Sequence, residues 1–330
     1  MLIGETIALA VALSWTATAL FAEVGSKRMG SLPFNSVRMM MSLMMLVPTL
    51  WLTMGVPWPR YADGPTWLWL LLSGVVGYTI GDYCLMQGYI VIGSRMGQLF
   101  MTLSAPTAAL TGRLLLGERL SPLAWVGMAV TLSGIAISIL GKREATADGQ
   151  RHTAIGTRLP ARGIAYAAMA GVCQGVGLVL SKVGLGHYDT ALAAAGLTRA
   201  DVPAEAVLPL PLDISIPFAA TMIRGSIGLC GFLLLLFLMH RDGMAQLRRA
   251  VGDRRAMRAA FFSMVFGPFI GVSLSLLATQ YTATGIAQTI FALTPVLIIA
   301  PAALIFHQKV RPQEVVGAVI SVVGASLFFI

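Results

Sequence analysis

Two segments of this chain align without a gap: residues 67–140, which begin WLWLLLSGVVGYTIGDYCLMQGY, and residues 257–330, which begin MRAAFFSMVFGPFIGVSLSLLAT. The shift between them is a constant 190 positions. The regions before them also correspond, since residues 4–25 read against residues 163–184. The chain therefore contains one unit twice. Identical pairs include Ser73/Ser263, Gly77/Gly267, Gly81/Gly271, Gln98/Gln288, Gly127/Gly317 and Gly134/Gly324.

The composition is that of a membrane protein. Of the 330 residues, 57% are hydrophobic and 11% are charged, and the mean hydropathy is +0.80. Such a chain has too little polar surface to cover a soluble particle. Apolar runs of about 20 residues, the length of a helix that crosses a bilayer, occur ten times. The sequence predicts an all-α polytopic protein with about ten transmembrane helices, at residues 5–24, 33–54, 66–90, 94–116, 122–140, 161–183, 216–239, 259–281, 285–306 and 312–330.

The ten predicted spans divide into two five-helix repeats. Residues 1–140 form the first repeat and residues 161–330 the second, with a basic linker at 141–160 and a loop insertion at 184–215. Because five is an odd number, the second repeat begins on the opposite side of the membrane, so the repeats are inverted. Inverted repeats are typical of secondary transporters whose substrate site lies between the repeats.

The net charge of +9 is concentrated in two connectors, residues 141–162 and 241–258. These connectors would face anionic lipid, so nucleic-acid binding is disfavoured. Loops after the odd-numbered spans carry most of the lysines and arginines. The positive-inside rule then places those loops in the cytoplasm and both termini outside.

The residues from Gln98 onward suggest a family. The stretch QLFMTLSAPTAALTGRLLLGERLSPLAWVGMAVTLSGIAISIL, residues 98–140, resembles the end of an EamA-type domain, and Trp15 and Arg38 fit the same pattern. The drug/metabolite transporter superfamily has two such domains in each chain. The resemblance implies a two-domain permease of a cell membrane, most simply a bacterial inner membrane, and it favours termini inside, in contrast to the loop charges.

Ionisable residues inside the spans are candidates for function, because an unpaired charge in a bilayer is costly. Arg38 and Asp82 lie near the ends of the second and third spans that share one membrane face, and Glu23 lies on the same side. The three side chains are expected to form a charge cluster near one mouth, either for gating or as a structural ion pair. Asp82 is also the candidate proton carrier.

The second repeat offers Lys182 and Arg224 at the corresponding positions, but Val272 replaces Asp82. Two cations without an intramembrane acid would favour an anionic or zwitterionic substrate. The acids of the outer loop, Asp189 and Asp213, are the alternative partners of these cations.

Uncharged polar and aromatic side chains complete a predicted cavity. Gln98 and Gln288 occupy identical positions at the start of the fourth and ninth spans. Their amides would either hydrogen-bond the substrate or cap the helix ends. Trp15, Tyr78 and Gln174 are the other candidates.

Small residues recur at four-residue spacing on the third span, at Ser73, Gly77 and Gly81, and again on the eighth. This spacing permits close contact between helix backbones. Static helix packing would explain this spacing, and so would a helix interface that slides or rocks during transport.

The sequence shows no nucleophile paired with a base, no phosphate-binding loop and no metal-ligand spacing. We therefore expect neither an enzyme nor a bound cofactor or metal. The prediction is a permease that exports a small organic metabolite or drug-like solute by alternating access; a lipid flippase or scramblase is the alternative. The expected partners are that solute and membrane lipid. The sequence leaves open whether the protein is a monomer or a homodimer. It also leaves open whether transport is coupled to protons, proceeds by exchange or is facilitated diffusion.

Overall fold

The computed structural model describes residues 2–140, 160–297 and 312–327, and it confirms an all-helical polytopic membrane protein. In this part of the chain, seven helical segments are long and apolar enough to cross a membrane, and three shorter apolar helices accompany them. The ten segments correspond to the ten predicted spans, although residues 298–306 of the ninth span and 328–330 of the tenth lie outside the described residues. The predicted linker, apart from Pro160, lies outside the described residues. The seven long segments are Ile3–Met29, Ser31–Met54, Gly64–Ser94, Met96–Leu116, Ala161–Ala194, Leu212–Met239 and Arg254–Tyr281.

Helices of the first repeat are interrupted by a π-helical stretch, here called the first π segment. In chain order the elements are α1 (Leu2–Met29), α2 (Ser31–Met54), α3 (Gly64–Gly74), the first π segment (Val75–Asp82), α4 (Tyr83–Met101), α5 (Ser104–Leu116) and α6 (Pro122–Leu140).

Helices of the second repeat follow the same pattern, with a second π segment. The elements are α7 (Ala161–Ala194), α8 (Leu212–Met239), α9 (Gly243–Gly252), α10 (Arg254–Met264), the second π segment (Val265–Phe269), α11 (Ile270–Tyr281), α12 (Thr284–Phe291), α13 (Thr294–Leu297) and α14 (Pro312–Ser326).

Local sequence explains several of the boundaries. Asp63 caps α3 by accepting a hydrogen bond from the amide of Thr66 at 2.9 Å, and a proline follows in the first turn. Gly55 ends α2 in the left-handed conformation, with φ of 75°, which glycine adopts without a side-chain clash. Gly93, with φ of 81°, kinks α4 between the third and fourth spans.

The two repeats interlock through their first helices. α1 packs against α10 and α11 of the second repeat, and α7 packs against α3 and α4 of the first. α7 meets the third span backbone to backbone at Gly177, where a Cβ atom would lie 3.1 Å from the Cα of Gly77. Ser73 Oγ donates a hydrogen bond to the carbonyl of Gly177 at 2.6 Å. The small residues of the third span therefore serve contact between the repeats, and the space enclosed by this exchange of helices is the site described below.

The last helices of the two repeats, α6 and α14, cross at equivalent glycines. A Cβ atom at Gly134 would lie 2.5 Å from the nitrogen of Ser321, and one at Gly324 would lie 2.5 Å from the nitrogen of Thr131. Thr131 and Ser321 are themselves equivalent positions of the repeats. The crossing thus preserves the internal symmetry and allows no added methyl group.

The predicted loop at 184–215 is partly helical, because α7 continues to Ala194. The sequence there is rich in alanine and leucine, which favour helix, and the helix ends at Ala194, two residues before Gly196, whose φ is 72°. The remainder is folded against α2: Leu208 donates to the carbonyl of Leu52 at 2.8 Å, and Arg60 pairs with Glu205 at 2.6 Å. The insertion is a helical extension followed by a short packed segment.

Candidate functional site

One cavity lies between the two repeats, with a volume of about 70 Å³, and all eight candidate side chains line it. The first repeat contributes side chains from α1, α2, α4 and the first π segment, and the second contributes side chains from α7, α8 and α12. The prediction of a shared cavity between the repeats is consistent with this placement. The eight side chains are Trp15, Arg38, Tyr78, Asp82, Gln98, Gln174, Arg224 and Gln288.

The two π segments begin at equivalent positions, Val75 and Val265. Periodicity did not predict them, because a π turn changes the backbone hydrogen bonds without a marked change in the side-chain pattern. Glycines in both segments and Pro268 in the second were the available signals, since proline removes an amide donor. π turns occur frequently at functional sites. Here the first π segment carries Tyr78 and Asp82 into the cavity.

The carboxylate of Asp82 is held by both repeats. Its Oδ2 lies 2.5 Å from Arg38 Nη2, and its Oδ1 accepts a hydrogen bond from Gln174 Nε2 at 2.9 Å. Asn35 fixes the pair from α2, accepting from Arg38 at 3.0 Å and donating to the carbonyl of Asp82 at 3.2 Å. Charge-assisted bonds of this kind are the stronger ones in proteins. The predicted contact between Arg38 and Asp82 is therefore present, and both carboxylate oxygens are occupied.

The guanidinium of Arg224 has no such partner. Arg224 is 4% exposed, yet it makes no hydrogen bond and no ion pair to any described residue. Its guanidinium lies over the ring of Tyr78, with 5.0 Å between the guanidinium carbon and the ring centroid. Gly77 lets it approach, since a Cβ atom there would be 3.0 Å from Arg224 Nη2.

Two equivalent glycines, one in the first π segment and one just after the second, lie against equivalent side chains of α1 and α7 that line the cavity. A Cβ atom at Gly271 would lie 2.7 Å from Trp15 Nε1, and one at the equivalent Gly81 would lie 3.6 Å from Gln174 Nε2. Trp15 also packs against Phe291, with 5.2 Å between ring centroids. The two glycines keep the opposing helix close enough for these side chains to form the cavity wall.

The paired glutamines do not cap helix ends, which was one of the two expectations. Gln98 lies inside α4 and donates to the hydroxyl of Tyr89, a buried cavity residue that sequence reasoning did not single out. Gln288 lies inside α12, where its Oε1 accepts from Ser104 Oγ at 3.1 Å. Both amides are anchored by a neighbour and line the cavity.

Lys182 does not share a mouth with Arg224, contrary to expectation. Its Nζ lies 2.8 Å from Glu118 Oε1 and donates to the carbonyl of Thr282 at 2.8 Å. The other oxygen of Glu118 caps α12, accepting from the amide of Thr284 at 3.0 Å and from its hydroxyl at 2.6 Å. Asp189, proposed as an alternative partner of these cations, pairs with an arginine of its own loop.

Glu23, the residue equivalent to Lys182, makes the corresponding contact in the first repeat. It accepts a hydrogen bond from the amide of Ser94 at 3.2 Å and pairs with Lys27 at 2.5 Å. Ser94 is equivalent to Thr284. Glu23 therefore does not join Arg38 and Asp82. Each repeat joins the end of its first helix to the start of a helix after the third span.

The fold and the cavity define a polytopic helical membrane protein built from two interlocked repeats around a central polar site. The sequence profile of the EamA-like transporter family matches residues 2–140 and 213–330. The chain belongs to the EamA-like transporter family, and this membership is consistent with a permease. No curated protein sequence matches it. A crystal structure of a protein with 14% sequence identity superposes with a TM-score of 0.60, covering 98% of this chain and 96% of that one, and so has a similar fold.

Proposed function

We propose that the protein moves a small organic solute across the membrane by alternating access, with the cavity between the repeats as its substrate site. The observation that carries the proposal is that side chains from equivalent positions of both repeats converge on this one cavity. Trp15 with Gln174, Arg38 with Arg224, and Gln98 with Gln288 are the three pairs. A site shared by inverted units is accessible from opposite sides when the units exchange conformations.

The contacts at the two ends of the cavity supply gates for this cycle. Glu23 lies eight residues beyond Trp15 on α1, and Lys182 lies eight residues beyond Gln174 on α7, a distance of about 12 Å along a helix. Because the repeats are inverted, the two contacts lie toward opposite faces. We assign the contact of Glu23 with Ser94 to one gate. The contacts among Lys182, Glu118 and Thr284, here called the Lys182 cluster, form the other gate. Breaking the contacts of one gate while those of the other remain would open the cavity to one side of the membrane only.

Within the cavity each candidate has a proposed role. Trp15 supplies an apolar wall, Gln98 and Gln288 offer polar contacts, and Tyr78 and Gln174 position the charged groups. The pair of Arg38 and Asp82 controls charge at the centre. From family membership we infer that the direction of transport is export and that the location is a cell membrane. We infer that the working unit is a monomer, because one chain supplies the whole cavity.

Counterflow in proteoliposomes tests the proposal. Vesicles containing the purified protein would be loaded with pooled amino acids, purine bases or organic acids, and entry of a labelled trace would be followed with and without a pH gradient. We expect saturable exchange that Trp15→Ala abolishes and that Trp125→Ala, a change at a side chain 37% exposed on α6, leaves intact. Translocation of fluorescent lipid without solute exchange would refute the proposal and favour a flippase.

A further inference from the structure

One pair of equivalent positions in the cavity breaks the symmetry of its charges. Asp82 of the first repeat corresponds to Val272 of the second, and both line the cavity. Asp82 neutralises Arg38 at 2.5 Å. Arg224, the counterpart of Arg38, lines the same cavity as Val272, which stands where the first repeat has the acid. The second arginine therefore lacks the carboxylate that the first one has.

This missing carboxylate leaves a net positive charge in the cavity, near the middle of a helix long enough to cross the membrane. Arg224 is residue 13 of the 28 in α8, about 18 Å from the helix start. A buried charge without a partner is strongly unfavourable in a bilayer. The contact with the Tyr78 ring is weaker than an ion pair. The Nε of Arg224 and the hydroxyl of Tyr78 are both buried without a hydrogen-bond partner in the described structure.

We propose that Arg224 binds a carboxylate of the transported solute, which takes the place that Asp82 fills in the other repeat; this inference rests on the proposed function. A guanidinium matches the two oxygens of a carboxylate. One negative charge balances the cavity, whereas a phosphate monoester, with a charge of about −1.5 to −2 at neutral pH, would reverse it. The substrate class is a small monocarboxylate.

The rest of the cavity narrows this class further. Among the described residues that line the cavity, Asp82 is the one acid, and its charge is already balanced by Arg38 and hydrogen-bonded by Gln174, so a substrate amine would find no uncompensated carboxylate. Apolar walls surround the charged centre, with Trp15, Met86 and Leu178 among them. A monocarboxylate with an apolar body and no amino group fits better than an amino acid.

Binding of benzoate and benzamide to the purified protein tests this assignment, because the two probes have the same shape and differ in charge. Dissociation constants would be measured by titration calorimetry in detergent. The wild type should bind benzoate and should bind benzamide about 30-fold more weakly, the factor expected for losing a charge-assisted bond. Val272→Asp should weaken benzoate binding by a similar factor, since the new carboxylate occupies Arg224.

Val272→Asn is the matched comparison, because asparagine has nearly the shape of aspartate without its charge, and it should weaken benzoate binding much less than Val272→Asp does. If Val272→Asp fails to elute as a single folded species, Arg224→Gln replaces it and should lose the preference for benzoate. Equal affinities of the wild type for benzoate and benzamide would overturn the assignment, as would full benzoate binding by Val272→Asp. Benzoate binding that shows this pattern without any counterflow would refute the transport cycle and leave the site intact.

Discussion

Removing one member of the Arg38–Asp82 pair should destabilise the protein far more than removing both. The two side chains are only 3% and 10% exposed, and the nitrogen and oxygen lie 2.5 Å apart. Breaking a buried pair by deleting one partner costs about 3–5 kcal/mol, because the other charge stays buried, whereas replacing both is close to neutral. We expect Asp82→Asn and Arg38→Gln each to lower the free energy of unfolding by that amount and the double variant to stay close to the wild type, so the coupling energy should approach the sum of the two single costs, roughly 6–10 kcal/mol.

The assay is a double-mutant cycle on reversible unfolding in mixed micelles, followed by tryptophan fluorescence. The pair Glu23 and Lys27 is the control, because Lys27 is 48% exposed and the residues are one helical turn apart. Its coupling should stay below about 0.5 kcal/mol. Costs at Arg38 and Asp82 that add to within about 0.5 kcal/mol would refute the buried pair and the charge arrangement of the cavity.

Three further predictions concern packing, pH and the cavity. Gly134→Ala should destabilise the protein by about 1–3 kcal/mol, because its Cβ would lie 2.5 Å from a backbone nitrogen of α14, whereas Gly186→Ala, with open space around it, should stabilise slightly in the same unfolding assay. The amide of Ala256, with an arginine of α1, holds the pKa of Asp253 below its ordinary value. The stabilisation is therefore present above the unfolded pKa of about 3.9 and is lost as pH falls, so the melting-temperature difference between wild type and Asp253→Ala should shrink on acidification. Gln288→Leu should raise the half-saturating solute concentration in counterflow about fivefold, the effect of one neutral hydrogen bond; an unchanged value would remove that amide from the site.

Composition and the internal repeat were sufficient to predict the spans, because a bilayer requires apolar helices of a fixed length. The same periodicity did not distinguish π turns from α turns. Nor did it show that α7 continues past residue 183, where the sequence stays favourable to helix although the charge increases. The expected fold class was confirmed, and the differences lie at helix ends and in backbone register.

The positions of the ionisable side chains along their predicted spans predicted only some of the contacts between them. Arg38 and Asp82 do meet, but Glu23, which was expected on the same side, contacts Ser94 near the end of α1 instead. Arg224 reaches the cavity because α8 begins at Leu212, earlier than the predicted span, so the arginine lies deeper. The rotation of a helix about its axis and the residue at which it begins depend on packing between the repeats. The sequence of one helix does not determine that packing.

The Lys182 cluster would have been predictable from the repeat itself. Lys182 replaces Glu23 at an equivalent position, and this reversal of charge requires an acid elsewhere. Glu118, on the loop before the fifth span, lies within the family-like stretch of residues 98–140. Its distance from Lys182 in sequence concealed the contact, which forms only when the two repeats interlock.

Accessibility of the cavity from each side tests alternating access most directly. A single cysteine at the cavity residue Ser275 would be placed in a protein whose three native cysteines are replaced by alanine. Its reaction with a membrane-impermeant thiol reagent would be measured in right-side-out and inverted vesicles, before and after cross-linking cysteines placed at Glu118 and Lys182. Reaction from both sides before cross-linking, and only from the side opposite the locked gate afterwards, is the predicted result. Reaction from both sides of the cross-linked protein would contradict the account.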